Sequence, residues 1–386
     1  MSNLLSFNSI MINVGYIFVA IIVLLFMVLI HELGHYTAGK ILKFKINEFS
    51  VGFGPKILQK KRKNGELISL RVFPLGGYCA FEGEGEENKE NPEAFNNQKP
   101  WKRLIVLFFG AFFNFLSAII FSFILLLSVG YDLVEIKKVS NYNINYDILQ
   151  SGDVIYGVEG HKIDFVYDDT FNNLLTEIVV EKYEDSYAGE YDYSYTKENK
   201  TYYMVTSPIK LDIRRDGDKK SIDAYINVVY DSSGEYIGWS FLNSNENNGE
   251  FEIGNYKYSF GEALIQCIPF SFKWAWKMLI ILGQLITGKL AITSLGGPVT
   301  TINMISTYTQ ISFSYLLLLL PLISVNLAVF NLLPIPALDG FQMIFVAIEW
   351  IRKKPVKQEV INTVNNIGLI VLLLFVIVVD ILQFVL

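Results

Sequence analysis

The stretch Ile10–His35, IMINVGYIFVAIIVLLFMVLIHELGH, joins a long apolar run to a cluster of ionisable side chains. The apolar part, Ile10–Ile30, contains no charged residue. A helix needs about 20 apolar residues to cross the hydrocarbon core of a bilayer, so this run predicts a membrane-spanning helix. The run ends in His31-Glu32-Leu33-Gly34-His35. On a helix this spacing puts two imidazoles on one face, one turn apart, with a carboxylate between them.

The composition extends this interpretation to the whole chain. Of 386 residues, 52% are hydrophobic and only 18% are charged, and the mean hydropathy is +0.34. A soluble domain needs more polar surface than this, so we expect a polytopic membrane protein. Three further apolar runs, Leu104–Val129, Phe313–Leu333 and Ile367–Leu386, raise the predicted number of transmembrane helices to four. The net charge of −6 and the lack of a basic aromatic patch argue against nucleic acid as a partner.

The N-terminus does not resemble a removable secretory signal. Met1 to Asn13 contains no Lys or Arg, and no small-residue cleavage site follows the apolar run. The first span is therefore expected to remain in the mature protein. Cys79 and Cys267 lie far apart in different sequence contexts, and we expect two unpaired thiols rather than a disulfide.

Basic residues predict the orientation of the spans. They cluster after the first run and before the second, and again between the last two runs: Lys40, Lys43, Lys45, Lys60, Lys61, Arg62, Lys63, Lys99, Lys102, Arg103, Arg352, Lys353, Lys354 and Lys357. By the positive-inside rule these loops are cytoplasmic. Both termini and the central polar region should then lie outside.

The central polar region, Tyr131–Lys257, is long enough for one small soluble domain. Alternating runs at Lys210–Arg214 and Ala224–Val229 predict strands. Tyr183–Lys200 is acidic and rich in tyrosine, and it has no clear period. We interpret that segment as an inserted loop or hairpin.

The segment Gly261–Leu290 is ambiguous. It carries Lys273 and Lys277 beside two tryptophans within an otherwise apolar run. Two lysines at mid-membrane would be costly, whereas Trp and Lys together favour a helix that lies at the interface. An interfacial helix also lets the third span run from outside to inside, so that its end reaches the depth of the first.

The polar loop after the first span contains two predicted short strands, Glu48–Phe53 and Leu67–Tyr78, interrupted by glycine and proline. A glycine-punctuated hairpin directly after a membrane helix can dip back toward the bilayer where protein or a cavity shields its backbone.

The two histidines predict a metal site. A catalytic zinc takes three protein ligands and keeps one position for water. The remaining histidine, His161, lies in the polar outside region, so the third ligand is sought among carboxylates in apolar sequence. Asp339 follows a proline-broken helix end, where open backbone at membrane depth suits a site. The alternatives are structural: a polar cap on the first helix, and Asp339 as the N-cap of the next helix.

The chain resembles the site-2 protease family of intramembrane zinc metalloproteases, in its bacterial form with an extracytoplasmic PDZ domain. The resemblance rests on HELGH at 31–35, the Phe109–Ser117 stretch, NLLPIPALDG at 331–340, SVGFGP at 50–55, FPLGGY at 73–78, LQSGDVI at 149–155 and GGPV at 296–299. This chain departs from the family pattern at Ala111, where the family usually has Pro, and at Phe341-Gln342, where it often has Gly-His.

The resemblance implies a fold of four transmembrane helices, a reentrant β-hairpin and an interfacial helix, with an inserted α+β PDZ-like domain. The expected domains are the N-terminal membrane core (1–130), the PDZ-like domain (131–257), the interfacial helix with its connecting segment (258–311) and the C-terminal membrane core (312–386).

The resemblance also implies Zn²⁺ held by His31, His35 and Asp339, with Glu32 as general base and Asn114 as a donor to the substrate. The expected substrates are single-span membrane proteins or remnant signal peptides, cleaved in the bacterial cytoplasmic membrane with the active site toward the cytoplasm. A non-catalytic membrane receptor that presents the PDZ domain is the alternative function, but it predicts a missing catalytic residue. A metal transporter predicts His or carboxylates spread over several spans, which this chain lacks.

Overall fold

The chain folds into two compact units. The computed structural model describes residues 2–84, 91–167, 170–184, 190–197, 200–241, 251–291 and 296–385. One unit comprises Met1–Ile124 together with Ile265–Leu386, and the other comprises Leu125–Leu264.

Eight helices and ten strands are described, numbered along the chain. The helices are α1 (Ser2–Ile41), α2 (Pro100–Ser128), α3 (Phe171–Tyr183), α4 (Phe260–Ile286), α5 (Pro298–Ile311), α6 (Phe313–Asn331), α7 (Asp339–Arg352) and α8 (Gln358–Val385). The strands are β1 (Ile46–Lys61), β2 (Leu67–Phe81), β3 (Val134–Val139), β4 (Val154–Val158), β5 (His161–Lys162), β6 (Tyr193–Lys197), β7 (Lys200–Arg215), β8 (Asp218–Tyr230), β9 (Tyr236–Ser240) and β10 (Phe251–Asn255).

Five helices among the described residues are long and apolar enough to cross a membrane: α1, α2, α4, α6 and α8. The four predicted apolar runs correspond to α1, α2, α6 and α8 of this set. Large apolar side chains on α8, such as Ile370, Leu374 and Val378, remain exposed on the protein surface. Such a surface suits contact with lipid rather than water. The chain is therefore an integral membrane protein with an inserted β-rich unit.

Helix α4 is the least apolar of the five, with a mean hydropathy of 1.2 in its best window. It contacts α2, because the hydroxyls of Ser122 and Ser271 lie 2.9 Å apart and share a hydrogen bond. The rings of Phe115 and Phe272 also pack edge to face beside this pair. Length and composition allow α4 to cross a membrane, and its interfacial placement stays a prediction.

Helix α5 lies in a segment that the sequence suggested was only a connection. Its residue Ile305 is fully buried in a cluster with Ala20, Val23 and Met27 of α1. The N-terminus of α5 is capped from α8, since the backbone N–H groups of Val299 and Thr300 donate to the Asp380 carboxylate at 3.2 and 3.1 Å. These hydrogen bonds satisfy backbone donors that a helix start leaves unpaired.

The β1–β2 hairpin folds back on itself, so that one part of β1 pairs with two different parts of β2. Residues 48–51 of β1 pair with residues 67–70 of β2 on one side and with residues 77–80 on the other. Residues 56–61 of β1 then pair with the 67–71 arm. Gly52, with φ of +84°, lies at one of the bends. We call residues 77–81 the edge segment, because among the described residues it pairs on one side only.

The second unit is built on an antiparallel sheet with the strand order β10-β3-β4-β7-β8-β9, with β5 paired to β4 and β6 paired to β7. The strands predicted at Lys210–Arg214 and Ala224–Val229 lie within β7 and β8. Their inward side chains form a core with helix α3. A portion of the predicted insertion Tyr183–Lys200 is hairpin strand β6, and its residues 185–189 and 198–199 lie outside the described residues.

Candidate metal centre

Three side chains from two distant regions of the chain converge at one point. His31 and His35 lie one turn apart on α1, within the helix rather than at its end, because α1 continues to Ile41. Asp339 is the first residue of α7 and follows Ala337, whose φ of +78° turns the chain sharply. The Asp339 Oδ2 atom lies 3.0 Å from Nε2 of His31 and 3.3 Å from Nε2 of His35.

The spacing of these donors fits a tetrahedral metal ion. The third edge, between the two Nε2 atoms, measures 3.1 Å. Ligands about 2.0–2.1 Å from a tetrahedral zinc lie roughly 3.3 Å apart, close to all three edges. Asp339 Oδ2 is buried and has no hydrogen-bond partner within the described part of the chain. Lone pairs converging on one buried point are stabilised by a cation, and the described residues offer this one His/Asp group for it.

The second ring nitrogen of His35 is fixed by the backbone of α2. His35 Nδ1 lies 2.8 Å from the carbonyl oxygen of Val106. A carbonyl only accepts, so Nδ1 carries the proton and Nε2 keeps its lone pair for a metal. Such outer partners set the tautomer and orientation of metal-binding histidines. Around His31 Nδ1 stand two amide nitrogens, those of Asn114 and Asn331, each 3.4 Å away.

Two glycines let α1 and α2 approach closely enough to build this centre. A Cβ at Gly110 would lie 2.4 Å from His35 Nε2 and 2.6 Å from His31 Cε1. A Cβ at Gly34 would lie 2.1 Å from the Phe109 carbonyl oxygen. Both distances are too short for a side chain. The backbone of α2 therefore forms one wall of the site.

A cavity of about 460 Å³ opens beside the three donors. Glu32 lines it, and so does the edge segment of the hairpin, through Tyr78, Cys79 and Ala80. The edge segment lies against the glutamate, since a Cβ at Gly77 would be 3.6 Å from Glu32 Cγ. A carboxylate, three metal donors and an unpaired strand edge therefore share one cavity.

Glu84 also lines the cavity and was not anticipated from the sequence. The protein around its carboxyl group disfavours the charged form. Burial therefore raises the pKa of the Glu84 carboxyl to about 7. In the sequence Glu84 is one of several acidic residues in a polar loop, and nothing there distinguishes it.

The other predicted residues fall in different places. Asn114 is fully buried behind His31 and does not line the cavity, whereas Asn331 does. His161 is exposed on β5 in the second unit and takes no part in the His/Asp group. Cys79 and Cys267 are both buried, and no disulfide joins them.

The fold and the metal centre together define the class of protein. It is a membrane-embedded chain in which two histidines of a helical HExxH motif converge with an aspartate that is distant in sequence. Comparison with known sequences agrees, because the profile of peptidase family M50 matches residues 19–375. The protein therefore belongs to peptidase family M50, the site-2 protease family.

Individual relatives cover nearly the whole chain. "Putative zinc metalloprotease CPE1693" of Clostridium perfringens is 27% identical over 93% of this chain and 95% of its own length. "Putative zinc metalloprotease CA_C1796" of Clostridium acetobutylicum is 28% identical over 95% of this chain and 96% of its own. A "Putative zinc metalloprotease" of Helicobacter pylori strain J99 reaches 30% identity over 86% of this chain and 88% of its own.

Proposed function

We propose that this protein is an intramembrane zinc metalloprotease that hydrolyses peptide bonds within membrane-spanning segments. Its substrates are single-span membrane proteins or remnant signal peptides. The observation that carries the proposal is the convergence of His31, His35 and Asp339 beside Glu32 in one cavity on a membrane helix. Ionisable residues in such a helix are costly and are retained for function. The zinc metalloprotease names of the relatives support the choice of metal.

His31, His35 and Asp339 are the proposed ligands of the zinc. Zinc bound there would polarise the scissile carbonyl and make water acidic enough to react near neutral pH. Glu32 follows His31 directly and has no place in the ligand set. Its carboxylate takes a proton from the attacking water and delivers it to the leaving amine, as general base and then general acid.

The edge segment supplies the proposed contact with the substrate backbone. A substrate helix hides its carbonyls in hydrogen bonds, so the segment to be cleaved must become extended. An extended peptide can add to an exposed sheet edge through main-chain hydrogen bonds. Residues 77–81 form such an edge on the cavity wall beside Glu32. A substrate strand paired there would run past the metal donors.

In the proposed orientation, the metal centre lies toward the cytoplasmic side of a bacterial inner membrane. The β-rich unit, which we propose to be PDZ-like, lies outside the cell membrane. The basic loops support this by the positive-inside rule. With native cysteines replaced, single cysteines at Gly261 and Lys289 test it with an impermeant thiol reagent on intact cells. Labelling at both positions supports an interfacial α4. Labelling at Gly261 alone would mean that α4 crosses the membrane and would contradict its interfacial placement, on which the shared depth of Asp339 and the two histidines rests.

The decisive experiment for the function is the variant Glu32→Gln. It should retain about one zinc per chain and lose cleavage of a co-expressed single-span substrate, because Glu32 acts on water and does not bind the metal. Elemental analysis of the purified protein and immunoblotting of the substrate give the two readouts.

Glu359→Gln is the matched control, since Glu359 is exposed at the start of α8. It should cleave and bind zinc as the wild type does. Normal cleavage by Glu32→Gln would contradict the proposed protease function. A wild-type protein that contains no zinc would contradict the proposed metal.

A further inference from the structure

A metal centre with two histidine ligands needs both rings held in the correct tautomer. His35 obtains this from the Val106 carbonyl oxygen, which can only accept a hydrogen bond, so that Nδ1 carries the proton. His31 needs an equivalent acceptor at Nδ1 if its Nε2 is to keep a lone pair for the metal. Two side-chain amides lie within 3.4 Å of that nitrogen, and within the described residues no backbone carbonyl bonds to it.

The surroundings of Asn114 single it out from Asn331. Asn114 is completely buried, and its Oδ1 has no hydrogen-bond partner in the described part of the chain. The nitrogen of the same amide faces His31 Nδ1. When His31 Nδ1 carries a proton, its N–H and the amide N–H of Asn114 face each other as two donors. The buried Oδ1 of Asn114 meanwhile accepts no hydrogen bond from the described residues. Rotating the amide by half a turn exchanges the nearly equivalent O and N positions, so that Oδ1 of Asn114 faces Nδ1–H of His31 and can accept its hydrogen bond.

We propose that Asn114 is a positioning residue whose amide oxygen accepts a hydrogen bond from Nδ1–H of His31 and so holds Nε2 ready to ligate the metal. The proposal rests on the proposed metal function and deepens it. Helix α2 would then supply the acceptor for Nδ1–H at both histidine ligands, through the Val106 carbonyl for His35 and through the Asn114 side chain for His31. Asn331, which lines the cavity, remains available to the substrate.

The test measures zinc affinity of the full-length protein in detergent by competition with a chelator. Asn114→Leu keeps the approximate size and removes the acceptor. It should lower the affinity about 10- to 100-fold, the usual effect of losing an outer partner of a ligand. Asn114→Asp supplies an acceptor that cannot donate, and it should restore wild-type affinity. Asn114→Ala is the second variant if the Leu form does not accumulate.

A spectroscopic readout separates positioning from mere packing. The chain has three histidines, so ¹⁵N-histidine labelling gives a spectrum that can be assigned. The His31 Nδ1 proton should exchange slowly with water in the zinc-loaded wild type and in Asn114→Asp, and faster in Asn114→Leu.

Wild-type zinc affinity in Asn114→Leu, or failure of Asn114→Asp to restore a lost affinity, would overturn the proposal. An unchanged affinity with a raised KM would assign Asn114 to the substrate instead. Because affinity is measured without substrate, a chain that binds zinc and cleaves nothing would count against the protease function alone.

Discussion

The metal centre and the β6–β7 hairpin of the second unit obey different constraints. At the centre, backbone and rings meet so closely that Gly110 has no room for a single methyl group. In the hairpin, Tyr195 lies opposite Tyr202 with their ring centroids 5.1 Å apart, and the side chains of Ser194 and Thr196 are exposed. Coordination fixes atoms to within tenths of an ångström, whereas strand pairing fixes only the alternation of faces. One added carbon should therefore matter far more at the centre.

The largest effect is expected from Gly110→Ala. The new Cβ would contact His35 Nε2, a proposed ligand atom, and displace the ring. Zinc affinity should fall by more than the roughly 100-fold that loss of an outer partner causes, and cleavage should be lost. Chelator competition and a substrate assay measure both.

Gly283→Ala is the matched control for this variant, because a Cβ at that position of α4 meets nothing within 4 Å. It should bind zinc normally and should not lower the unfolding temperature. Normal zinc binding by Gly110→Ala would show that α2 does not press on the centre as described.

The second effect concerns the buried ion pair that joins α2 to α7. Arg103 Nη1 lies 2.5 Å from Glu349 Oε2, and both side chains are buried. Arg103→Met leaves a buried carboxylate unpaired and should lower the free energy of unfolding by about 3–5 kcal/mol. The double variant Arg103→Met/Glu349→Met should recover most of that loss. Thermal unfolding in detergent tests this, and equal stability of the single and double variants would contradict it.

A smaller effect is expected at the cap of α5. Asp380→Ala removes the acceptor for the N–H groups of Val299 and Thr300. Loss of a helix cap costs about 0.5–2 kcal/mol, and zinc content per folded molecule should not change. Asn366→Ala, at an exposed position of α8, is the control for unfolding measurements. A loss of zinc in Asp380→Ala would mean that α5 contributes to the centre.

The smallest effect is expected in the hairpin. Tyr195→Ala removes a cross-strand ring pair and should cost about 0.2–1 kcal/mol. Hydrogen exchange should increase in β6 and stay unchanged in α1 and α2. A measurable loss of zinc affinity in this variant would contradict the expectation that the hairpin does not affect the metal centre.

Much of the centre could be predicted because charge in apolar sequence is conspicuous. His31, Glu32, His35 and Asp339 all stand in or beside apolar runs, and the structure brings the three predicted ligands together. The role of Glu32 as general base and the contact of Asn114 with the substrate concern chemistry and remain predictions, and for Asn114 the proposed hydrogen bond to His31 is the competing role.

The missed features carry no such signal. Gly110 acts through the side chain it lacks, and Val106 acts through its carbonyl. Helix α5 contains several Thr and Ser residues and buries only a narrow face, so its sequence shows no strong period. The doubled pairing of residues 48–51 depends on two non-local contacts at once. Local pattern could predict those strands and could not predict their order.

The contact between His35 and the Val106 carbonyl makes the main chain of α2 a participant in metal affinity. Replacing the Val106 side chain leaves that carbonyl in place, so an alanine scan along α2 would overlook the contribution. Because the carbonyl can hold the imidazole only while α2 keeps its shape there, metal loading and helix order are thermodynamically coupled. Zinc should therefore slow amide exchange around Gly110, one turn after Val106, more than at either end of α2.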